Sequence, residues 1–175
     1  MISEIQIEKA GLADSALLAE MGAGTFRETY VGMMQEADLN AYVSEVFSLS
    51  ATEKKLSDPR AHFWIARKEG IPCGYCLFLE GNAPIELPER RVGEISRIYV
   101  QRRWHGAGIG PLLMEKMIAL AESLQLSGTW LNVWEKNRLA QKFYEKQGYQ
   151  VVGAQTLVVG TDSQQDAILF KKTRA

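Results

Sequence analysis

The sequence predicts an α/β fold on a mixed central sheet. Three observations carry that prediction. Short runs of β-branched and aromatic residues recur, as in His62–Arg67, Tyr75–Leu79, Glu94–Val100 and Thr129–Trp134. Apolar residues three and four apart mark helices between them, most strongly Leu112, Leu113, Met117, Leu120 and Leu124. The order is one strand, helices, three strands, helix, strand, helix, two strands. That is too strand-rich for a plain alternating doubly wound sheet.

Each element has a local reason. Ile2, Ile5 and Ile7 alternate with polar residues in an opening strand. Asp14-Ser15 offers an N-cap for a helix from Ala16 toward Tyr30, with a kink or break expected at Gly22 and Gly24. Leu39, Tyr42, Val43, Val46 and Phe47 mark a second helix, and Ser50–Leu56 a third that stops near Pro59. Residues 62–80 read as a hairpin turning through Gly70-Ile71-Pro72. Asn82–Glu89 holds two prolines and reads as a loop. Arg138–Lys146 is a helix stopped by Gly148 as a C′ glycine. Two last strands, near Val151–Val159 and Ala167–Lys171, flank Gly160-Thr161-Asp162-Ser163.

A chain of 175 residues reads as one domain, residues 1–175, and can bury a core without metal or disulfide staples. Apolar residues make up 46% and charged residues 23%, which excludes disorder, collagen and coiled coil. A net charge of −1 argues against a nucleic-acid partner. No apolar stretch approaches the ~18 residues of a membrane helix, so no membrane partner is expected. Met1–Ile5 has no basic and apolar signal pattern, and Cys73 and Cys76 cannot make a disulfide scaffold. A cytoplasmic setting is the expectation.

The glycine-rich turn Val100-Gln101-Arg102-Arg103-Trp104-His105-Gly106-Ala107-Gly108-Ile109-Gly110 joins a strand to a helix. Such a turn presents unpaired N–H groups at the positive end of the helix dipole, where an anion such as a phosphate is welcome. The P-loop requires Lys-Ser/Thr after its last glycine, which is missing here. The spacing G-x-G-x-G also departs from the dinucleotide fingerprint G-x-G-x-x-G. A turn that serves only close packing remains the alternative.

His105–Gly110 resembles the acetyl-CoA loop of the GCN5-related N-acetyltransferases (GNAT), [RQ]-x-x-G-x-[GA], with His105 where Arg or Gln is usual. Downstream, Trp130-Leu131-Asn132-Val133-Trp134-Glu135-Lys136-Asn137, Ala140 and Phe143-Tyr144-Glu145-Lys146-Gln147-Gly148-Tyr149 resemble that family's N-x-x-A-x-x-x-Y-x-x-x-G-[FY] helix. The resemblance covers residues 94–149 and the element order of the chain. Glu94–Val100 with the stretch VWEKN is also similar to PaiA-like polyamine or general amine acetyltransferases.

The resemblance implies a sheet of about seven strands, splayed between strands 4 and 5 by a bulge and flanked by helices. It implies direct acetyl transfer from acetyl-CoA to an amine, with no acyl-enzyme and no metal. Residues His105, Gly106, Ala107, Gly108, Ile109, Gly110 and Pro111 would hold the cofactor, with the N–H groups of 106–111 on its pyrophosphate. Ile98, Tyr99 and Val100 would pair with the pantetheine arm, an N–H near Val100 would polarise the thioester carbonyl, and Asn137 would bond the arm. Tyr144 matches the tyrosine that protonates the departing thiolate. A thiol near 8.5 against a phenol near 10 makes that transfer uphill by ~2 kcal/mol, so position decides. An alkylamine is only about 0.1% neutral around neutral pH, a barrier contribution of ~4 kcal/mol, so a base is needed. Some relatives carry a glutamate five residues before the helix asparagine; here that residue is Asn132, and Glu94 is the next candidate. The acceptor would be a small-molecule or peptide amine, and a homodimer is an open expectation.

Blander readings stand beside these. Tyr144 could fill core with Phe143, and Glu94 could be a solvated strand end. Cys73-Gly74-Tyr75-Cys76 enters a strand, where a redox pair lacks its helix N-terminus. His62 and His105 give no zinc spacing, and the methionines read as core. Glu20, Glu28, Glu36, Asp38 and Glu45 make the first helices acidic, a solvated face or a wall for a cationic amine. A non-catalytic acetyl-CoA-binding module and a nucleotide-binding α/β protein are the rival functions.

Overall fold

The structure is a computed structural model that describes residues 5–81 and 83–173. Ile2 and Asn82, assigned above to the opening strand and a loop, lie outside the described residues. The strands are β1 (Ile5–Lys9), β2 (Ala61–Lys68), β3 (Ile71–Glu80), β4 (Val92–Val100), β5 (Gly128–Trp134), β6 (Gln150–Val159) and β7 (Asp162–Lys172). The helices are α1 (Ser15–Tyr30), α2 (Glu36–Val46), α3 (Leu49–Leu56), α4 (Ile109–Ser123) and α5 (Arg138–Lys146). One sheet of seven strands runs β1-β2-β3-β4-β5-β7-β6. Its pairs are antiparallel except β4–β5, which is parallel and joined through α4. A parallel pair needs such a crossover.

The apolar stripe of α4 covers one face of the sheet. Ile109, Leu113, Met114, Met117 and Ala121 pack there against Phe78, Ile95, Leu131, Val133 and Leu169. Each fully buried Leu or Met contributes about 1.5–3 kcal/mol. On the other face α1 sets Leu18 and Met21 on Phe63, Ile65, Tyr75 and Leu77. Phe26 of α1 then meets Leu39, Val43 and Phe47 in an aromatic-rich cluster under α2. Alternation along β4 sends Ile98 and Val100 toward α4 and Tyr99 toward α1 and α2.

Two local expectations are corrected. Helix α1 runs unbroken through Gly22 and Gly24. A Cβ at Gly22 would stand 2.5 Å from the Phe47 ring and 2.6 Å from the Tyr75 hydroxyl, so this glycine allows close approach and does not break the helix. The β2–β3 turn is Glu69-Gly70, both at positive φ, and Lys68 pairs directly with Ile71. Ile71 and Pro72 already belong to β3.

Candidate active site

Strands β4 and β5 pair only at Val92–Gly128, Gly93–Thr129 and Glu94–Trp130. The β3–β4 register then jumps from Phe78–Ile95 to Leu77–Arg97, which makes Ser96 an extra residue in β4. Such a bulge bends its strand. Strand β5 stays paired with β7 as far as Trp134. The two strands therefore part beyond Glu94, at the place the resemblance implies.

The register decides which backbone groups face this gap. Gln101 donates its N–H to the carbonyl of Cys73 at 3.0 Å. Hydrogen-bonded pairs alternate along an antiparallel ladder, so the backbone of Tyr99 is turned to Tyr75 on β3 and the N–H groups of Ile98 and Val100 are turned to the gap. Of the three residues expected to pair with a ligand arm, Tyr99 is thus committed to the sheet. Nε2 of His105 donates to the Val100 carbonyl at 2.8 Å. The Val100 N–H is the group left free.

The glycine turn is built as an anion cradle. His105 and Ala107 donate their N–H groups to Arg102 and Trp104 at 3.1 and 3.2 Å. Those of Gly106, Gly108, Ile109 and Gly110 have no partner among the described residues. Pro111 has no N–H, so the donor row expected over 106–111 ends at Gly110; its ring suits the first turn of α4. Gly106 and Gly108 hold φ of 81° and 80°, and a Cβ on either would meet nothing within 4 Å. Packing does not explain them. At Gly110 a Cβ would stand 3.3 Å from Phe143, so this glycine seats α4 against α5.

Tyr144 is half-buried, with its ring 5.3 Å from Phe143 and 6.1 Å from Tyr149. Burial pushes its phenol well above the usual range, so it is a proton donor throughout neutral pH. The transfer to a free thiolate is then steeper than for an unperturbed phenol. Glu94 is the last β4 residue paired with β5 and stands at the closed end of the gap. Burial raises its carboxyl, against the opposing pull of Ser96, Lys55 and Arg97. Oδ1 of Asn137 accepts the N–H of Ala140 at 3.2 Å and caps α5, an N-cap role beside the ligand-bonding one the resemblance implies. Tyr30 stands beside Asn137, and burial lifts its phenol to about 12.

Sequence reasoning missed the acceptor-side wall of the gap. Asp166 on β7 is 4% exposed. Asn132 donates Nδ2 to its Oδ2 at 2.6 Å. Burial raises the Asp166 carboxyl, and the Asn132 bond works against that rise. The signal was available in principle: Gln164, Asp166, Ile168 and Phe170 alternate and are all buried, so a carboxylate occupies an inward register position. Part of the acidic helical face is committed elsewhere. Glu28 accepts the Arg102 N–H at 3.1 Å, and Asp38 accepts the Thr161 hydroxyl at 2.7 Å, which ties the β6–β7 turn to α2. A surface cleft of about 340 Å³ lined by Glu20, Thr25, Glu28, Pro72, Gln101 and Arg103 holds none of Glu94, Tyr144 or Asp166.

The parted mixed sheet and its glycine cradle define the class of domain that the two sequence blocks resemble. A profile of the acetyltransferase (GNAT) family matches residues 26–149. The chain belongs to that family and is an N-acetyltransferase. It is 29% identical over 161 residues to an uncharacterized N-acetyltransferase of Mycobacterium tuberculosis, covering 92% of this chain and 99% of that one. A second uncharacterized N-acetyltransferase, from Lactobacillus delbrueckii subsp. lactis, is 26% identical over 84% of this chain and 85% of that protein. Among solved structures, the PaiA N-acetyltransferase of Thermoplasma acidophilum in complex with coenzyme A superposes with a TM-score of 0.78. That likeness is at 21% identity and covers 97% of this chain and 99% of the other.

Proposed function

We propose that this N-acetyltransferase moves an acetyl group from acetyl-CoA directly to the primary amine of a small molecule or peptide. The observation that carries the reading is the gap beyond Glu94–Trp130, which leaves the Val100 N–H free next to the unbonded N–H groups of Gly106, Gly108, Ile109 and Gly110. The residues present fit coenzyme A: free donors at a helix start suit a pyrophosphate, and two glycines keep that surface open. His105 and Ala107 hold the turn in shape, Ile109 and Gly110 supply donors, and Pro111 starts the helix. The Ile98 N–H and the Asn137 side chain would hold an extended arm. When bound, acetyl-CoA supplies an activated acyl carbon.

The amine nitrogen forms the new C–N bond as the C–S bond breaks. The Val100 N–H is the donor toward the carbonyl oxygen where negative charge grows. Glu94, its carboxyl raised by burial, takes the proton the amine loses. Tyr144 gives its hydroxyl proton to the thiolate that leaves. No serine, cysteine or histidine nucleophile is required. The test is turnover with a panel of amines, read as thiol release. Release that depends on an amine supports the reading. Tight CoA binding with no release above hydrolysis for any amine would make the chain a binding module.

A further inference from the structure

Asp166 has no role in the reaction as described, yet its setting is unusual. Among the described residues its Oδ1 is the one buried carboxylate oxygen that nothing bonds. A carboxylate loses much when taken from water without partners, so such an oxygen marks a place where a partner is missing. The other oxygen is held by Asn132, which fixes the side chain. Trp134 stands directly opposite Asp166 in the β5–β7 register, on the same face of the sheet. The Trp134 ring lies 5.4 Å from that of Tyr30, and Tyr42 stacks 4.7 Å from Phe26 beside it. The phenols of Tyr30 and Tyr42 both lie within electrostatic reach of the Asp166 carboxylate.

A carboxylate among aromatic faces is the chemistry that receives an alkylammonium. The Trp134 ring already attracts one: Nζ of Lys136 stands 5.4 Å from its centroid. Tyr30 also neighbours Asn137 and Tyr144, so this wall adjoins the side where the thiolate departs. Arg97 lies on the same face, 4.7 Å over the Phe47 ring and close to Tyr42. Among the described residues it makes no ion pair within 4 Å. A second cation on the acceptor would meet its guanidinium.

Resting on the reading of the chain as an amine acetyltransferase, we propose that Asp166 anchors the acceptor's ammonium group, and that the acceptor is a monoamine whose other end is neutral or anionic. The ammonium carries three protons. One leaves to solvent before attack, a second goes to Glu94 as the C–N bond forms, and the third, kept in the product amide, holds the N–H···O bond to Asp166, so the nitrogen stays oriented as its lone pair meets the carbonyl. Asp166 is thus a substrate-binding residue, whose loss falls first on KM.

The test is calorimetric titration of the CoA-loaded protein with three ligands of one carbon skeleton: a monoamine, the matching alcohol and the matching diamine. The monoamine is expected to bind at least tenfold more tightly than either. Asp166→Asn keeps the shape and the Asn132 contact; it should weaken the monoamine 10- to 100-fold and leave the alcohol unchanged. Equal affinity of wild type for amine and alcohol would overturn the proposal without recourse to a variant. Diamine binding tighter than monoamine would overturn the single-charge class. Turnover with an unchanged KM in Asp166→Asn would remove the anchor and leave the acetyltransferase reading intact. Amine binding that depends on Asp166, with no turnover, would do the reverse.

Discussion

Replacing Gly108 by alanine separates ligand contact from folding. Gly108 sits at φ 80°, the N-cap of α4, with nothing within 4 Å of an added Cβ. The substitution therefore costs left-handed backbone strain and no clash, about 1–2 kcal/mol. At roughly 2–4 °C per kcal/mol for a domain of this size, Tm should fall by about 2–8 °C. Gly106→Ala, at φ 81° with the same open surroundings, is the matched control for strain. Gly110→Ala has no positive φ, and its Cβ turns toward Phe143 at 3.3 Å, away from the open side of the turn. If the Gly108 surface lies against a pyrophosphate, its Cβ takes the ligand's space. CoA affinity should then fall by more than tenfold, over about 1.4 kcal/mol, while Gly110→Ala stays within about threefold. Thermal melts and calorimetry with CoA read both quantities on one sample. A folded Gly108→Ala that binds CoA as the wild type does would refute the placement of the ligand on this turn.

Three further outcomes follow from the site. Tyr144→Phe keeps the half-buried ring and deletes only the hydroxyl, so kcat should drop ~100- to 10,000-fold with CoA affinity unchanged; an intact kcat, with no pre-steady-state burst in the wild type, would make Tyr144 core filler. Glu94 is raised by burial and must be ionised to accept a proton, so kcat at saturating amine should climb with pH as it ionises; Glu94→Gln should lower kcat and abolish that limb, and persistence of the limb would assign it elsewhere. Asp166 is likewise raised in the fold above its unfolded value, so its favourable contribution is complete at low pH and is lost as pH rises through the raised value. The Tm of Asp166→Asn relative to wild type should accordingly rise from acid to neutral pH, and a difference independent of pH would contradict the burial of a charge there.

Features that depend on neighbours along the chain were legible beforehand. The Gly106–Gly108 turn carries its glycines at fixed spacing between a strand and a helix, so it announces itself locally, whereas the capping of α5 by Asn137 emerges only in the fold. The seven strands and the parting of β4 from β5 came through the order of elements and the two resembling blocks. What failed depends on residues distant in sequence. Gly22 reads as a breaker until Phe47 and Tyr75 are seen pressing on it. Glu28 and Asp38 read as one acidic face until Arg102 and Thr161 claim them. Asp166 reads as part of a polar hairpin, and only the β5–β7 register puts it beside Trp134 and against Asn132. Pro111 falls inside the expected donor row, yet its ring carries no N–H to give.

The most direct measurement joins donor and acceptor in one reaction. The protein is mixed with acetyl-CoA and a monoamine, and the amine is weighed by mass spectrometry while free thiol is counted. An acetyl group on the acceptor's nitrogen and one equivalent of thiol for each are expected, with both lost together in Tyr144→Phe. Thiol release without acetylated amine, or acetyl found on a side chain of the protein and chased from there to the amine, would contradict direct transfer across the gap between β4 and β5.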